Sequence, residues 1–392
     1  MKFLLHMLQC IYYIDNYSFY PVMKPKPPKN KLKIALIIDY FYWYGGAQKV
    51  EELILKIFPD ADVFAGFKHP KYKGWIPEKV YYTTVQKLPF KRVFSPIYLL
   101  LLPFAFERLD FSQYDVVISS TQSFAKGVVV PPGVKHISYI HTPPRFLWGM
   151  ESSRQSKVLF LIKPVLAIIN HFLRIWDFHA AQRPRVLFAN SAEVQKRIAK
   201  YYKRDSTILH PPTDVSSRYK NIKVKRDRNL FVSVNRLVTY KRVDLIIKAF
   251  KQLPDYKLVV AGTGDEEQKL KNLAGKSKNI KFVGFVSEEE KFRLFASANA
   301  FIQLSYEDFG LVPVESMAMG TPVIGLNAGG TRETVIDGVT GILIDELTVE
   351  NVVGAIKKIG ELNIKNEDCV MRSEQFGFES FKKQLLDIVS SN

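Results

Sequence analysis

Cysteine is nearly absent. Two residues, Cys10 and Cys369, stand near opposite ends of a 392-residue chain. Two cysteines build neither a disulfide framework nor a zinc motif, which points to a reducing compartment. Seven histidines are present, but none shows ligand spacing; His136 and His141 are five apart, which is no metal motif. A His/Cys metal site is therefore not expected. Also missing are a GxGxxG fingerprint, which disfavours nicotinamide binding, any residue-level repeat, and any apolar run long enough to span a bilayer. The opening MKFLLHMLQCIYYIDNYSFYPV is apolar but interrupted by His6, Gln9, Asp15 and Asn16, and it lacks a small-residue cleavage site, so it makes a poor signal peptide. A Pro/Lys stretch, MKPKPPKNK, follows. Residues 1–30 read as a loosely attached extension, or as sequence upstream of a working start at Met23.

Acid is scarce in one half only. Residues 1–213 hold 30 Lys+Arg against 14 Asp+Glu, whereas residues 214–392 hold 26 against 24, so +16 of the net +18 lies in the first half. One domain is thus expected to face an anionic partner, either nucleic acid or an anionic membrane surface. The length suits two domains, and 47% hydrophobic with 24% charged residues is the composition of a soluble globular protein.

From Lys33 onward strands and helices alternate. KIALIID (33–39) is a continuous apolar run of the kind found in buried parallel strands. Val50, Leu53, Ile54 and Ile57 then recur at helical spacing. Further strands are expected at 62–67, 115–120, 136–141 and 185–191, with ILHPP (208–212) closing the series. The polar stretch 213–228 reads as a linker. A second series runs through strand 230–236, helix 241–253, a strand and turn over 257–265, a strand and helix within 280–298 with a Ser287/Glu290 capping box, and strands 300–304, 321–325 and 340–344. The fold class is α/β, with two doubly wound domains (31–213 and 214–372) facing across a cleft. In such sheets ligands bind at the carboxyl ends of the strands.

Two stretches look membrane-directed. Residues 87–106 place Lys87, Lys91 and Arg92 beside IYLLLLPFAF, and residues 157–176 mix apolar residues with Lys157, Lys163, His171 and Arg174. Pro164 is expected to kink or break a helix there. Both stretches fit core helices with basic ends as well as interfacial docking to anionic lipid.

Four places carry candidate chemistry. The first is SYEDFGLVPVE (305–315). A strand ending at about Glu307, a turn at Asp308-Phe309-Gly310, Pro313 in a first helical turn and Gly320 at the helix end would leave the amides of Phe309, Gly310 and Leu311 free for an anion. Glu315 would lie in or near that first turn. Taken alone, the stretch also fits a helix start whose acids only complement its dipole. The second is NRLVTYKRVD, where Arg236 ends a strand and Lys241 opens a helix. A guanidinium fork and an ammonium in one cleft suit a diphosphate, although two solvated cations are the plainer alternative. The third is Tyr44-Gly45-Gly46, where paired glycines let backbone approach a ligand. The fourth is YIHTPPRFLWG, where His141 ends a strand as a candidate donor to a sugar hydroxyl. GGTRETVIDG (329–338) adds a glycine turn that could contact phosphate or sugar, and AGTG (261–264) reads as an ordinary turn.

In order, YGGAQKV, SYIHTPPRFLW, ANSAEVQKRI, HPPTDV, NRLVTYKRVDLIIKAF, VGFVSEEEKFRLF, EDFGLVPVE and MGTPVIGLNAGGTRETVIDGVTG resemble the family 4 glycosyltransferases, retaining enzymes of the GT-B fold. The resemblance runs from about Lys31 to the end and is nearest to the mannosyltransferase-like branch of surface-glycan biosynthesis. It implies that Glu307 holds donor-sugar hydroxyls beside the Phe309, Gly310 and Leu311 amides, and that Glu315 holds the ribose. It implies that Arg236 and Lys241 bind the diphosphate, that backbone near Phe285 meets the base, that Gly45 and Gly46 approach donor and acceptor, and that His141 contacts the transferred sugar. It further implies metal-independent transfer, the cations and helix dipole doing the electrostatic work, and a last helix (373–392) returning to the first domain. GDP-mannose is the donor it favours, with a UDP-sugar as alternative. The acceptor would be a lipid-linked saccharide or glycolipid at the cytoplasmic face of the cell membrane. Asn235 stands where relatives carry a small residue and Pro144 where they often carry methionine; both blur sugar identity more than reaction class. The extension has no counterpart in the family. Competing readings are a basic nucleic-acid-binding protein, for which no motif appears, and a GT-B sugar-nucleotide epimerase.

Overall fold

The computed structural model describes residues 32–391 apart from 43, 89, 90, 151–162, 216–218, 220 and 223, and for 91–98 and 163 the backbone alone. The 1–30 extension with Cys10, and parts of both apolar stretches, lie outside the described residues.

The first domain is a seven-stranded parallel sheet in the order β3-β2-β1-β4-β5-β6-β7. Its strands are β1 (Ile34–Ile38), β2 (Asp62–Ala65), β3 (Val80–Tyr82), β4 (Val116–Thr121), β5 (Lys135–Ile140), β6 (Val186–Ala189) and β7 (Thr207–Ile208). Every residue of β1 and β4 is buried, so the unbroken apolar runs follow from helices covering both faces. Four helices connect them: α1 (Gly46–Ile57), α2 (Lys91–Glu107), α3 (Lys163–Ala180) and α4 (Ala192–Tyr202). The described part of α3 begins one residue before Pro164, so the chain leading up to that proline, where a kink or break is expected, lies outside the described residues. Leu173 and Trp176 of α3 pack on the core, whereas Val165, Ile168, Phe172 and Ile175 form an exposed stripe. Beneath α3, Lys126 and Asp177 form a buried ion pair, with Trp148 Nε1 donating to Asp177 at 2.8 Å.

The second domain is a six-stranded parallel sheet in the order β10-β9-β8-β11-β12-β13. It comprises β8 (Asp227–Val234), α5 (Val243–Lys251), β9 (Lys257–Ala261), α6 (Glu267–Ala274), β10 (Ile280–Gly284), α7 (Glu288–Ser297), β11 (Ala298–Gln303), α8 (Leu311–Ala318), β12 (Val323–Leu326), the single turn α9 (Thr331–Thr334), β13 (Gly341–Ile344), α10 (Val349–Glu361) and α11 (Asn366–Glu374). The capping box forms: Ser287 N donates to Glu290 Oε2 at 2.8 Å and Glu290 N to Ser287 Oγ at 3.2 Å. Two sequence expectations shift. The linker is shorter than 213–228, because Asp227 and Arg228 already belong to β8 and Thr213 N donates to Phe376 O at 2.9 Å. The helix expected at 241–253 starts at Val243, after a tighter turn over Thr239–Lys241.

The last helix, α12 (Phe378–Ser390), lies on the first domain. Phe381, Leu385 and Val389 are buried in the same cluster as Leu36, Val50, Ile54 and Tyr139. The outgoing and returning segments run side by side, with Thr213 bridged in parallel to Gly377.

Candidate active site

The stretch from Ser305 to Glu315 leaves β11 earlier than the sequence suggests. Pairing with β12 ends at Gln303 opposite Gly325, so Glu307 sits on a loop four residues beyond the strand. Gly310 caps α8 at φ +86°, a conformation natural to glycine. Among the described residues, the amides of Phe309, Gly310 and Leu311 find no hydrogen-bond partner. They form an open helix N-terminus, which favours an anion. Phe309's own ring is core, 5.3 Å from His210 and 5.4 Å from Phe376 between centroids. Glu315 is the fifth residue of α8 rather than part of its first turn, and it is buried.

The glycines at 329–330 hold this loop from below. Gly330 N donates to Glu307 O at 2.9 Å. A Cβ on Gly329 would lie 2.3 Å from Glu307 O, and one on Gly330 would lie 2.1 Å from Phe309 Cα. This pair thus supports the loop by close backbone approach. AGTG behaves likewise and is more than an ordinary turn: Cβ atoms on Gly262 and Gly264 would meet Asn235 O at 1.8 Å and Leu237 O at 2.2 Å, so both glycines pack against the loop that carries Arg236.

Glu307 accepts from Lys241 Nζ and Ser305 Oγ. Burial pushes its carboxyl up, but Lys241, Ser305 and Arg145 outweigh burial and hold it below the usual carboxylate range. Lys241 closes the turn before α5 rather than opening that helix, and Arg236 lies two residues past the end of β8. Arg236 is exposed, and among the described residues its side chain forms no hydrogen bond or ion pair. Lys241 on Glu307 thus stands at the loop that leads into the open end of α8, while Arg236 presents an unpaired guanidinium from the loop after β8.

First-domain residues meet this loop directly. A Cβ on Gly46 would fall 2.9 Å from Leu311 Cδ1, so the Gly45-Gly46 turn faces the start of α8. His141, just past β5, is 8% exposed, and its Nε2 lies 2.8 Å from Ser120 Oγ. Burial pushes its imidazole down to about 3, so the ring is neutral near pH 7. Phe285 stands apart, 82% exposed beyond edge strand β10.

Several partners were not foreseen. Glu315 is held at Oε1 by Lys49 of α1 and at Oε2 by Lys291 of α7, each at 2.9 Å. Burial opposes ionisation of Glu315, and the two lysines outweigh it, so its carboxyl is also depressed. Lys49 in addition pairs with Glu288 at 2.5 Å. Asp308 bridges Arg145, at 2.7 Å, and Arg197, both from the first domain. Glu333 accepts from the amides of Ala192 and Glu193 at 2.7 and 3.0 Å, capping α4 from across the cleft. The only sequence signals for these were single charges beside motifs: Lys49 three positions after Gly46, Asp308 beside Glu307, and Glu333 inside GGTRET. An open pocket lies between the domains, walled by Tyr44, Lys49, Glu288, Leu311 and Glu315 among others. Among the described residues, no group of His, Cys, Asp and Glu is arranged to hold a metal ion.

Residues 216–376 match the model of the group 1 glycosyl transferases. The chain is 28% identical over 302 residues to an alpha-1,3/1,6-mannosyltransferase, ALG2, of Dictyostelium discoideum, covering 65% of this chain and 70% of that protein. It is 30% identical over 167 residues to a GDP-mannose-dependent alpha-(1-6)-phosphatidylinositol monomannoside mannosyltransferase of Mycolicibacterium smegmatis, covering 39% of this chain and only 44% of that protein. In fold it is similar to HepE of Anabaena, solved in complex with UDP and glucose, with a TM-score of 0.64, 19% identity and coverage of 92% of this chain and 100% of that one.

Proposed function

We propose that the chain, whose residues 216–376 match the group 1 glycosyl transferases and whose fold is that of the GT-B enzymes, moves a hexose, with mannose favoured, from a nucleotide diphosphate sugar to a lipid-linked saccharide or glycolipid, with retention of anomeric configuration. The observation that supports this reading is the Lys241–Glu307 pair beside the free amides at 309–311, with Arg236 five residues before Lys241 on the loop after β8.

In this reading the diphosphate lies over the amides of Phe309, Gly310 and Leu311, with Arg236 and Lys241 neutralising it as it leaves. Glu307 accepts from the hydroxyls of the sugar being moved, and Glu315 from those of the ribose. His141 contacts the sugar from the first domain. The acceptor hydroxyl attacks the anomeric carbon on the face the leaving group departs. The bond to the diphosphate oxygen breaks, and that oxygen takes the hydroxyl proton. No metal is required, since the cations and the helix end supply the charge stabilisation. GDP-mannose as donor and a lipid acceptor draw support from the mycobacterial relative, whose name carries both. Membrane docking at the cytoplasmic face draws support from the exposed stripe Val165, Ile168, Phe172 and Ile175 on the basic domain. No helix among the described residues is long and apolar enough to cross a membrane, so the association would be peripheral.

Lys241→Ala tests the site. Transfer from nucleotide sugar to a membrane extract should fall about 10²–10³-fold in kcat, with the fold intact. Wild-type turnover in that variant would sink the assignment. Release of free nucleotide only when acceptor is present separates transfer from epimerisation.

A further inference from the structure

Beneath His141 lies a buried acid that the roles above leave idle. Glu51, on α1, is 2% exposed. Its Oε1 lies 3.2 Å from Ser120 Oγ, and its Oε2 is buried without a partner. Ser120 Oγ in turn lies 2.8 Å from His141 Nε2. The neighbouring Asp39 is saturated by Thr121 Oγ1 and by the amides of Gln122, Ser123, Phe124 and Ala125, so it offers Glu51 only its charge. Burial, with Asp39 adding to it, pushes the Glu51 carboxyl well up, and a carboxyl with one neighbour and no cation is kept neutral.

A neutral carboxyl holds one proton, and among the described residues Ser120 is its one hydrogen-bond partner, so the proton goes to Oε1, which has that partner, rather than to Oε2, which has none. Glu51 Oε1–H then donates to Ser120 Oγ. Ser120 has one hydroxyl hydrogen of its own, which goes to His141 Nε2. The neutral imidazole must therefore carry its proton on Nδ1. Nδ1 has no protein partner among the described residues, and unlike His136 Nδ1 it is not among the sealed unpartnered atoms. Replacing Glu51 by a group that cannot donate frees Ser120 to accept, and the ring proton can then sit on Nε2, which turns Nδ1 into an acceptor.

We propose that Glu51 is a positioning residue: through Ser120 it fixes His141 in the tautomer that presents Nδ1–H, so that His141 meets the transferred sugar as a hydrogen-bond donor. The proposal rests on the reading that His141 contacts that sugar.

The test pairs nitrogen spectra of 15N-histidine-labelled enzyme with kinetics for wild type, Glu51→Gln and Glu51→Leu. The Gln amide can still donate to Ser120, whereas Leu cannot. His141 should read as protonated at Nδ1 in wild type and Glu51→Gln, and at Nε2 in Glu51→Leu. The Leu variant should lose about tenfold in kcat, the factor carried by one oriented hydrogen bond, with donor KM unchanged. Glu51→Gln should recover to within about threefold of wild type. An unchanged tautomer in Glu51→Leu, or a Gln variant as impaired as the Leu variant, overturns the proposal. If Glu51→Leu does not fold, Ser120→Ala breaks the same chain one link on, and Nδ1–H persisting there overturns it too. A His141→Ala enzyme with wild-type turnover, beside a shifted spectrum in Glu51→Leu, overturns instead the sugar contact on which the proposal rests.

Discussion

Lys49 Nζ, on the first-domain helix α1, lies 2.9 Å from Glu315 Oε1, on the second-domain helix α8. The carboxylate read as the ribose clamp is therefore also a tie between domains. Lys291 holds the other oxygen from within the second domain, so removing Lys49 cuts the tie without stripping Glu315 of its charge partner.

Lys49→Met should remove about 1–2 kcal/mol of interdomain attraction, for a pair buried on one side and a quarter exposed on the other. The cleft should open more readily. Small-angle scattering should show a larger radius of gyration, and donor KM should rise about tenfold, with kcat less affected. Scattering and KM both equal to wild type would show the tie to be inert.

The paired glycines beneath the loop give a contrast between two single-methyl changes. On Gly330 a Cβ would lie 2.1 Å from Phe309 Cα, and backbone cannot yield cheaply. On Gly46 it would meet only the end of Leu311, a flexible side chain. Gly330→Ala should destabilise the second domain by about 1–3 kcal/mol, whereas Gly46→Ala should leave the thermal transition near wild type. Equal transitions for the two would contradict this packing.

Glu307 and Glu315 both titrate below their ordinary value in the folded chain, because their lysine partners outweigh burial. Glu333, capping α4 from the second domain, is lowered too. A carboxyl with a depressed folded pKa stabilises the fold above its unfolded value, about 4.3 for Glu, and loses that contribution as pH falls toward the folded value. The stabilisation these three carboxyls supply should therefore be full above about pH 5.5 and fall away below about 4.5, giving the transition temperature an acid limb. Glu315→Gln should flatten the acid limb and lower the neutral plateau. An acid limb unchanged by that substitution would remove Glu315 from the linkage.

Phe172 and Ile168 on α3 are 65% and 60% exposed on one face of the basic domain. If that face docks on lipid, Phe172→Ser with Ile168→Ser should weaken sedimentation with anionic vesicles by at least about tenfold, at roughly 1.5–3 kcal/mol for each large side chain withdrawn from the membrane. Binding of the double variant equal to wild type would leave the stripe without a membrane role.

The architecture was largely legible in the sequence, because both sheets are parallel and doubly covered, so their strands read as unbroken apolar runs such as that at 33–39. Less legible was where strands stop. β11 ends where its ladder with β12 ends, at Gln303 opposite Gly325, a matter of pairing with another strand. The polar partners of the site were hidden for the same reason. Lys49 and Glu315, or Arg197 and Asp308, are remote in sequence, and each alone reads as a solvated charge. Gly262 looked like part of a simple turn, because its need for glycine comes from Asn235 O on a neighbouring loop.

The last helix gives the chain an order of assembly. Phe381, Leu385 and Val389 complete the core that β1, α1 and β5 begin, yet they leave the ribosome only after the whole second domain has been made. Domains fold as units during synthesis, the N-terminal one ordinarily first. Here the first domain emerges before the second yet is completed after it, with the face over Val50 and Ile54 uncovered until α12 is made. Losing residues 378–390 would therefore not trim a tail; it would lay open the flank of the domain farthest from it in sequence.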